Sequence, residues 1–167
     1  IFNNARTRDN MAAALADVGK QLASAFAVGA VVAAGKQFID FAGHLTDLSG
    51  KTGITTTGLQ KLGLAFESSG VSLDTVSNAT LKLGQTLLSG DKSAVHALSK
   101  LGLSVQELKG LAPEQMFLKV ADAVGSVQDP TEKSYAAIKL FGKGGADLLA
   151  GLTGNLTETV AGFEALG

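Results

Sequence analysis

One short signal recurs after Ser49 and restricts the chain to a series of short helices. It reads TGIT at Thr52–Thr55, SGVS at Ser69–Ser72 and LGLS at Leu101–Ser104. Each copy is glycine, then a β-branched residue or leucine, then a hydroxyl residue. Glycine suits the left-handed position that ends a helix, so Gly53, Gly70 and Gly102 read as helix stops. The aliphatic residue sits just before the next helix and can staple to it. Thr55, Ser72 and Ser104 then accept a hydrogen bond from the first turn of that helix. Ser104 is followed three residues later by Glu107, the spacing of a capping box. These joints predict helices over 56–68, 73–88, 92–101 and 105–110. Pro113 fits the first turn of another, over 113–126. In QDPTEK, Asp129 reads as the N-cap and Pro130 as the first residue of a helix that reaches Phe141. Two more are expected over 144–152 and 156–166. No run alternates apolar and polar residues with β-branched enrichment, so the expected class is all-α.

The first fifty residues have a different texture. Met11, Leu15, Val18, Leu22, Ala25, Gly29 and Val32 are spaced alternately by four and three, the seam of a coiled coil. The seam becomes small at Ala25 and Gly29, with Ala33 beside them. It loosens at Lys36 and resumes through Ile39, Ala42, Leu45 and Leu48, with no proline in the run. The expected organisation is a long Ala/Gly-rich helix over 1–50 and a compact multi-helix domain over 51–167. Two readings of that helix stand side by side: an amphipathic helix packed on its own domain, or a seam for self-association along an axis. The chain starts at Ile1 rather than Met, so a segment of a longer protein is expected. Within 51–167 there is a weak internal echo. Gly53–Ala65 and Gly102–Ala112 share the corner signal followed by Leu-x-x-Leu, at Leu59/Leu62 and Leu108/Leu111. Two copies suggest a reused corner, not a solenoid.

Composition narrows the function. Fourteen basic and fifteen acidic residues leave a net charge of −1, which gives no support for strong binding to a phosphate backbone. No cysteine is present, which removes disulfides and thiol chemistry. The N-terminus is polar and charged, unlike a signal peptide. The apolar stretch Gln21–Gly35 is fifteen residues long. As a helix it spans about 22 Å, short of a ~30 Å hydrocarbon core.

Four places in the chain could carry chemistry. Leu140–Leu149, LFGKGGADLL, suggests a phosphate loop, but a P-loop needs Ser or Thr after the lysine and a strand before it. Here Gly144 follows Lys143, and Gly142 or Gly144 as a helix stop accounts for the glycines. Asp40, His44 and Asp47 share a helix face, which suits either a metal or ordinary pairing of a solvated face. His96 stands alone, and no Ser/His/Asp set or carboxylate pair can be assembled. Phe26, Phe38, Phe41, Phe66, Phe117, Phe141 and Phe163 fall on apolar helix faces and are expected in a core. The residues therefore read as a helical structural or interaction protein, with no catalytic residue, metal or cofactor.

The ordered set of motifs is more specific than any one of them. Asp47–Val76, Ala97–Val124 and Gln128–Leu152 together resemble the phage tail tape measure family. The matching elements are a T-G-[IV]-[ST] opening with L-x-x-L, a G-[VI]-S corner and an L-G-[LI]-[ST] corner. A P-E-x-x-F helix (Pro113, Phe117) and an L-F-G-[RK]-x-G element (Phe141, Gly142, Gly145) follow. The resemblance covers roughly residues 42–155. Its departure is the pair Gly144–Gly145, where one glycine and a small polar residue are expected.

The resemblance implies a virion protein of the tail lumen that sets tail length during assembly in the host cytoplasm and leaves ahead of the DNA. It implies partners in the tail tube, the tail tip or baseplate, and the tail assembly chaperones. Self-association, with three copies expected, would run along Leu15, Val18, Leu22, Ala25, Gly29 and Val32. The alternative is a membrane-active segment, Gln21–Gly35, that helps form a DNA passage in the host inner membrane.

Overall fold

A computed structural model describes residues 28–166, with the side chains of residues 36–165. The described residues form nine α-helices and no strand. They are α1 (Val28–Thr52), α2 (Thr56–Glu67), α3 (Leu73–Ser89), α4 (Lys92–Lys100) and α5 (Val105–Lys109). Then come α6 (Pro113–Gly125), α7 (Pro130–Phe141), α8 (Gly145–Leu148) and α9 (Leu156–Leu166). The class is all-α, and from α2 onward each helix lies close to the range expected for it. The predicted helix over 144–152 is α8 followed by a 3₁₀ turn at Leu149–Gly151. Helix ends often tighten in this way. The long N-terminal helix is seen only from Val28. Met11, Leu15, Val18, Leu22, Ala25 and Phe26 lie outside the described residues. So do the side chains at Gly29 and Val32 and most of the stretch Gln21–Gly35.

The chain divides into two units, Ile1–His44 with Glu164–Gly167, and Leu45–Phe163. In the second, α7 is the hub and packs on α3, α4, α6 and α8. Its core has an aromatic spine. Phe66 of α2, Phe117 of α6 and Phe141 of α7 are each at most 1% exposed. Phe117 sits between the other two, with ring centroids 6.1 Å from Phe66 and 5.5 Å from Phe141. Both pairs are tilted, by 55° and 53°. Tilting sets ring edges toward faces and lets the quadrupoles attract. Around the spine, α6 contributes Val120, Ala121 and Val124, and α3 contributes Val76, Ala79, Leu83 and Leu87. These positions recur at helical spacing, so each helix buries one stripe.

One expectation needs correction. Phe38 and Phe41 are not core residues, being 72% and 51% exposed. They lie on the part of α1 before His44, whereas the core of Leu45–Phe163 takes α1 only from Leu45 and Leu48 onward. The internal echo extends no further than the corner itself, because α2 runs for 12 residues and α5 for 5. The cause is Pro113. It holds Ala112 extended (φ −61°, ψ 151°), so α5 must end before it.

Candidate functional site

The residues singled out by the sequence are joints, and the structure builds each of them in full. At the first, the Gly53 N–H donates to the Ser49 carbonyl at 2.9 Å and Gly53 takes φ +75°. Thr52 Oγ1 donates to the Leu48 carbonyl at 2.7 Å and accepts from the Ile54 N–H at 3.1 Å. Thr55 Oγ1 then accepts from the Gly58 N–H at 3.0 Å, the N-cap of α2. At the second joint, Ser69 Oγ donates to the Phe66 carbonyl at 2.7 Å, and Ser72 Oγ accepts from the Thr75 N–H at 3.2 Å. The third is a Schellman closure: Leu103 N–H to the Leu98 carbonyl at 2.9 Å, and Gly102 N–H to the Ser99 carbonyl at 3.0 Å. Ser104 Oγ accepts from the Glu107 N–H at 3.1 Å. The box is closed from this side, while the Glu107 carboxylate is engaged by Lys119 of α6. One sequence signal is thus finished by three different hydrogen-bond patterns.

The motifs also meet across the fold. A Cβ added at Gly53 would lie 3.2 Å from Pro113 Cγ, and one at Gly58 would lie 2.5 Å from Glu114 Oε2. The opening corner therefore sits against the start of the P-E-x-x-F helix, whose Phe117 is the centre of the aromatic spine. Asp129 Oδ1 accepts from the Glu132 N–H at 2.8 Å, with Pro130 beginning α7 as expected.

The L-F-G-K-G-G element closes the hub helix. Gly142 ends α7 with φ +77° and ψ −158°, outside the usual left-handed cap geometry. A side chain there would meet the stem of Lys82, 2.8 Å away at Cγ. A Cβ at Gly145 would sit 2.5 Å from the Ala137 carbonyl carbon, so α8 crosses α7 there by backbone contact. Gly144 differs: a Cβ would find only Thr75 Cγ2, at 3.8 Å. The second glycine is therefore the required one, and the first occupies a permissive position. Leu148 is fully buried beyond this crossing and Leu149 packs against the core.

Chemistry at the expected places is sparse. Asp40, His44 and Asp47 are exposed, and no group of His, Cys, Asp or Glu able to hold a metal exists among the described residues. His96 is exposed. Asp91 caps α4, and the Ser93 hydroxyl and backbone N–H hold its carboxyl below the ordinary value. A groove of about 360 Å³ between α4 and α7 is lined mainly by Ala97, Leu101, Val127 and Ala136, with Lys100 and Tyr135. No helix among the described residues is long and apolar enough to cross a membrane.

Asp122 is the residue that sequence reading misses. Its Oδ1 accepts from the Leu156 N–H at 2.6 Å and its Oδ2 from the Thr157 N–H at 3.0 Å, with the Thr157 hydroxyl on the same oxygen. It caps α9 from α6, and nothing near Leu156 in sequence announces it. Gly125 and Gly154 let the two segments meet, since a Cβ at Gly125 would lie 2.9 Å from Gly154 Cα. A cap that accepts two amide bonds makes Asp122→Ala cost about 2 kcal/mol. The checks are a lower urea midpoint and faster amide exchange at Leu156 and Thr157. Unchanged exchange there would show that α9 does not depend on this cap.

No protein-family model, curated protein or solved structure matches this chain.

Proposed function

We propose that this chain is a segment of a phage tail tape measure protein, a structural virion component rather than an enzyme. In this reading it fills the tail lumen in several copies, three being expected. It governs tube length during assembly in the host cytoplasm and departs ahead of the DNA at ejection. Its partners are the other copies, the tail tube, the tip proteins and the assembly chaperones.

The observation that supports the reading is how the ordered motif residues are used. Gly53, Thr55, Gly70, Ser72, Gly102, Ser104 and Pro130 end or begin helices. Pro113 begins the helix that carries Phe117, while Phe117 and Phe141 fill the spine. Gly142 and Gly145 close the crossing of α8 on α7. The motif set is a specification for packing, as a structural family's signature should be. A helix also suits a ruler, because its length grows by about 1.5 Å per residue.

The test is tail length. Adding about four heptads to the helix upstream of Phe38 is expected to lengthen tails by roughly 42 Å in virions carrying the altered chain. Tails of unchanged length would remove the ruler role.

A further inference from the structure

Three of the four buried polar side chains among the described residues lie on one helix, α3: Ser77, Thr80 and Thr86. Two of them show a cost. Thr80 Oγ1 donates to the Val76 carbonyl at 2.9 Å, a bond to its own helix that slightly weakens and bends it. Ser77 Oγ is buried with no hydrogen-bond partner, so it loses water on folding and gains nothing in exchange. Gly84 follows in the helix interior. At Gly58 and Gly145 a neighbour comes too close for a side chain, but no atom lies within 4 Å of where a Gly84 Cβ would sit. Nothing in the packing requires this glycine, and in a helix interior it gives up more chain freedom on folding than alanine does. Ser77, Thr80 and Gly84 are spaced by three and four, so these unfavourable choices share one face of α3 over two turns.

We propose that α3 is a weak point built into the Leu45–Phe163 unit, through which the whole unit opens in one step when the chain leaves the tail. The place of α3 in the fold makes the step unit-wide. It packs on α2, α4, α6, α7 and α8. It also supplies Val76, Ala79, Leu83 and Leu87 to the core, so its loss uncovers the faces that these helices bury. The buried hydroxyls and Gly84 hold the unit below the stability that this apolar packing supports. A packed unit must lose its shape to follow other copies out of a tube, whereas an extended chain passes in single file. The departure rests on the reading above; the weakness of α3 does not.

Two replacements remove the weakness and leave the core in place. In the full chain, Gly84→Ala is expected to lower the unfolded fraction about fivefold. Ser77→Ala, which deletes only the unpaired oxygen, should lower it at least about fivefold. The two sites are about 10 Å apart along the helix, so the double variant should reach about 25-fold. Gln85→Ala, exposed on the same helix, is the control and should stay within about twofold. Urea titration reads all four, and a double variant no more stable than the control overturns the proposal. Native-state amide exchange reads how far the unit opens. The double variant is expected to slow exchange by the same factor in the cores of α3, α6 and α7; slowing confined to α3 overturns the one-step opening. Virions carrying the double variant should have tails of normal length and release DNA about fivefold more slowly, since part of the gain appears in the unfolding rate. Release at the parent rate overturns the role of α3 in departure. Tails that ignore chain length while release still slows would remove the ruler and keep the weak point.

Discussion

Replacing Phe117 with alanine is expected to lower the unfolding free energy of the Leu45–Phe163 unit by about 3–5 kcal/mol. The ring is fully buried and is the only one of the described phenylalanines with a ring partner on both sides, Phe66 and Phe141. Truncation removes its apolar burial, leaves a cavity between α2, α6 and α7, and ends both tilted ring contacts, each worth about 0.5–1.5 kcal/mol beyond area. Total stabilities of single domains lie near 5–15 kcal/mol, so the variant should be partly unfolded at growth temperature. Urea titration checks this, with Leu88→Ala as the control. Leu88 is 78% exposed, and its loss should change stability by less than about 0.5 kcal/mol. A Phe117→Ala midpoint as close to the parent as the control's would mean the spine does not hold the unit together.

The second large effect separates two adjacent glycines. Gly145→Ala is expected to cost about 3 kcal/mol, because the new methyl group meets the Ala137 carbonyl and the Ile138 nitrogen, backbone atoms that cannot swing aside. Gly144→Ala should be neutral or stabilising by up to about 1 kcal/mol. Gly144 has ordinary helical angles (φ −67°, ψ −12°) and open space around its Cβ, and alanine reduces the freedom of the unfolded chain. Thermal melts of the two variants side by side decide the matter. Equal losses would contradict the crossing of α8 on α7. The pair also explains the departure noted in the sequence: Gly144 stands at the position where the resemblance leads one to expect a small polar residue, and the structure has room for one.

Much of the helix pattern was legible because helix ends are decided within a few residues. Thr55, Ser72, Ser104 and Asp129 each bond an amide three residues ahead, so their effect is written locally. Pro113 and Pro130 act through their own rings and through the residue before them. The phenylalanines were less legible. Phe38 and Phe66 look alike on a helix wheel, yet one is bare and the other buried, since periodicity marks a stripe without saying what covers it. Glu107 has the spacing for a box with Ser104, but Lys119 of α6 reaches its carboxylate. The Asp122 cap and the contact of Gly125 with Gly154 had no local signal at all.

By itself the sequence determined the all-α class, the places where α2 to α7 begin and end, and the glycines that take positive φ at the three corners. These follow from caps, ring constraints and left-handed turns, interactions that span at most about five residues. Only the tertiary structure decided which row of α1 is the buried one, because the spacing near Lys36–Leu48 admits two registers and only contact with the core distinguishes them. It likewise decided that Phe117 is the middle of the spine, that Asp122 caps a helix far along the chain, and that Gly145 and not Gly144 is indispensable. Each of these depends on which segments come within a few ångströms of one another, and packing across the fold sets that distance.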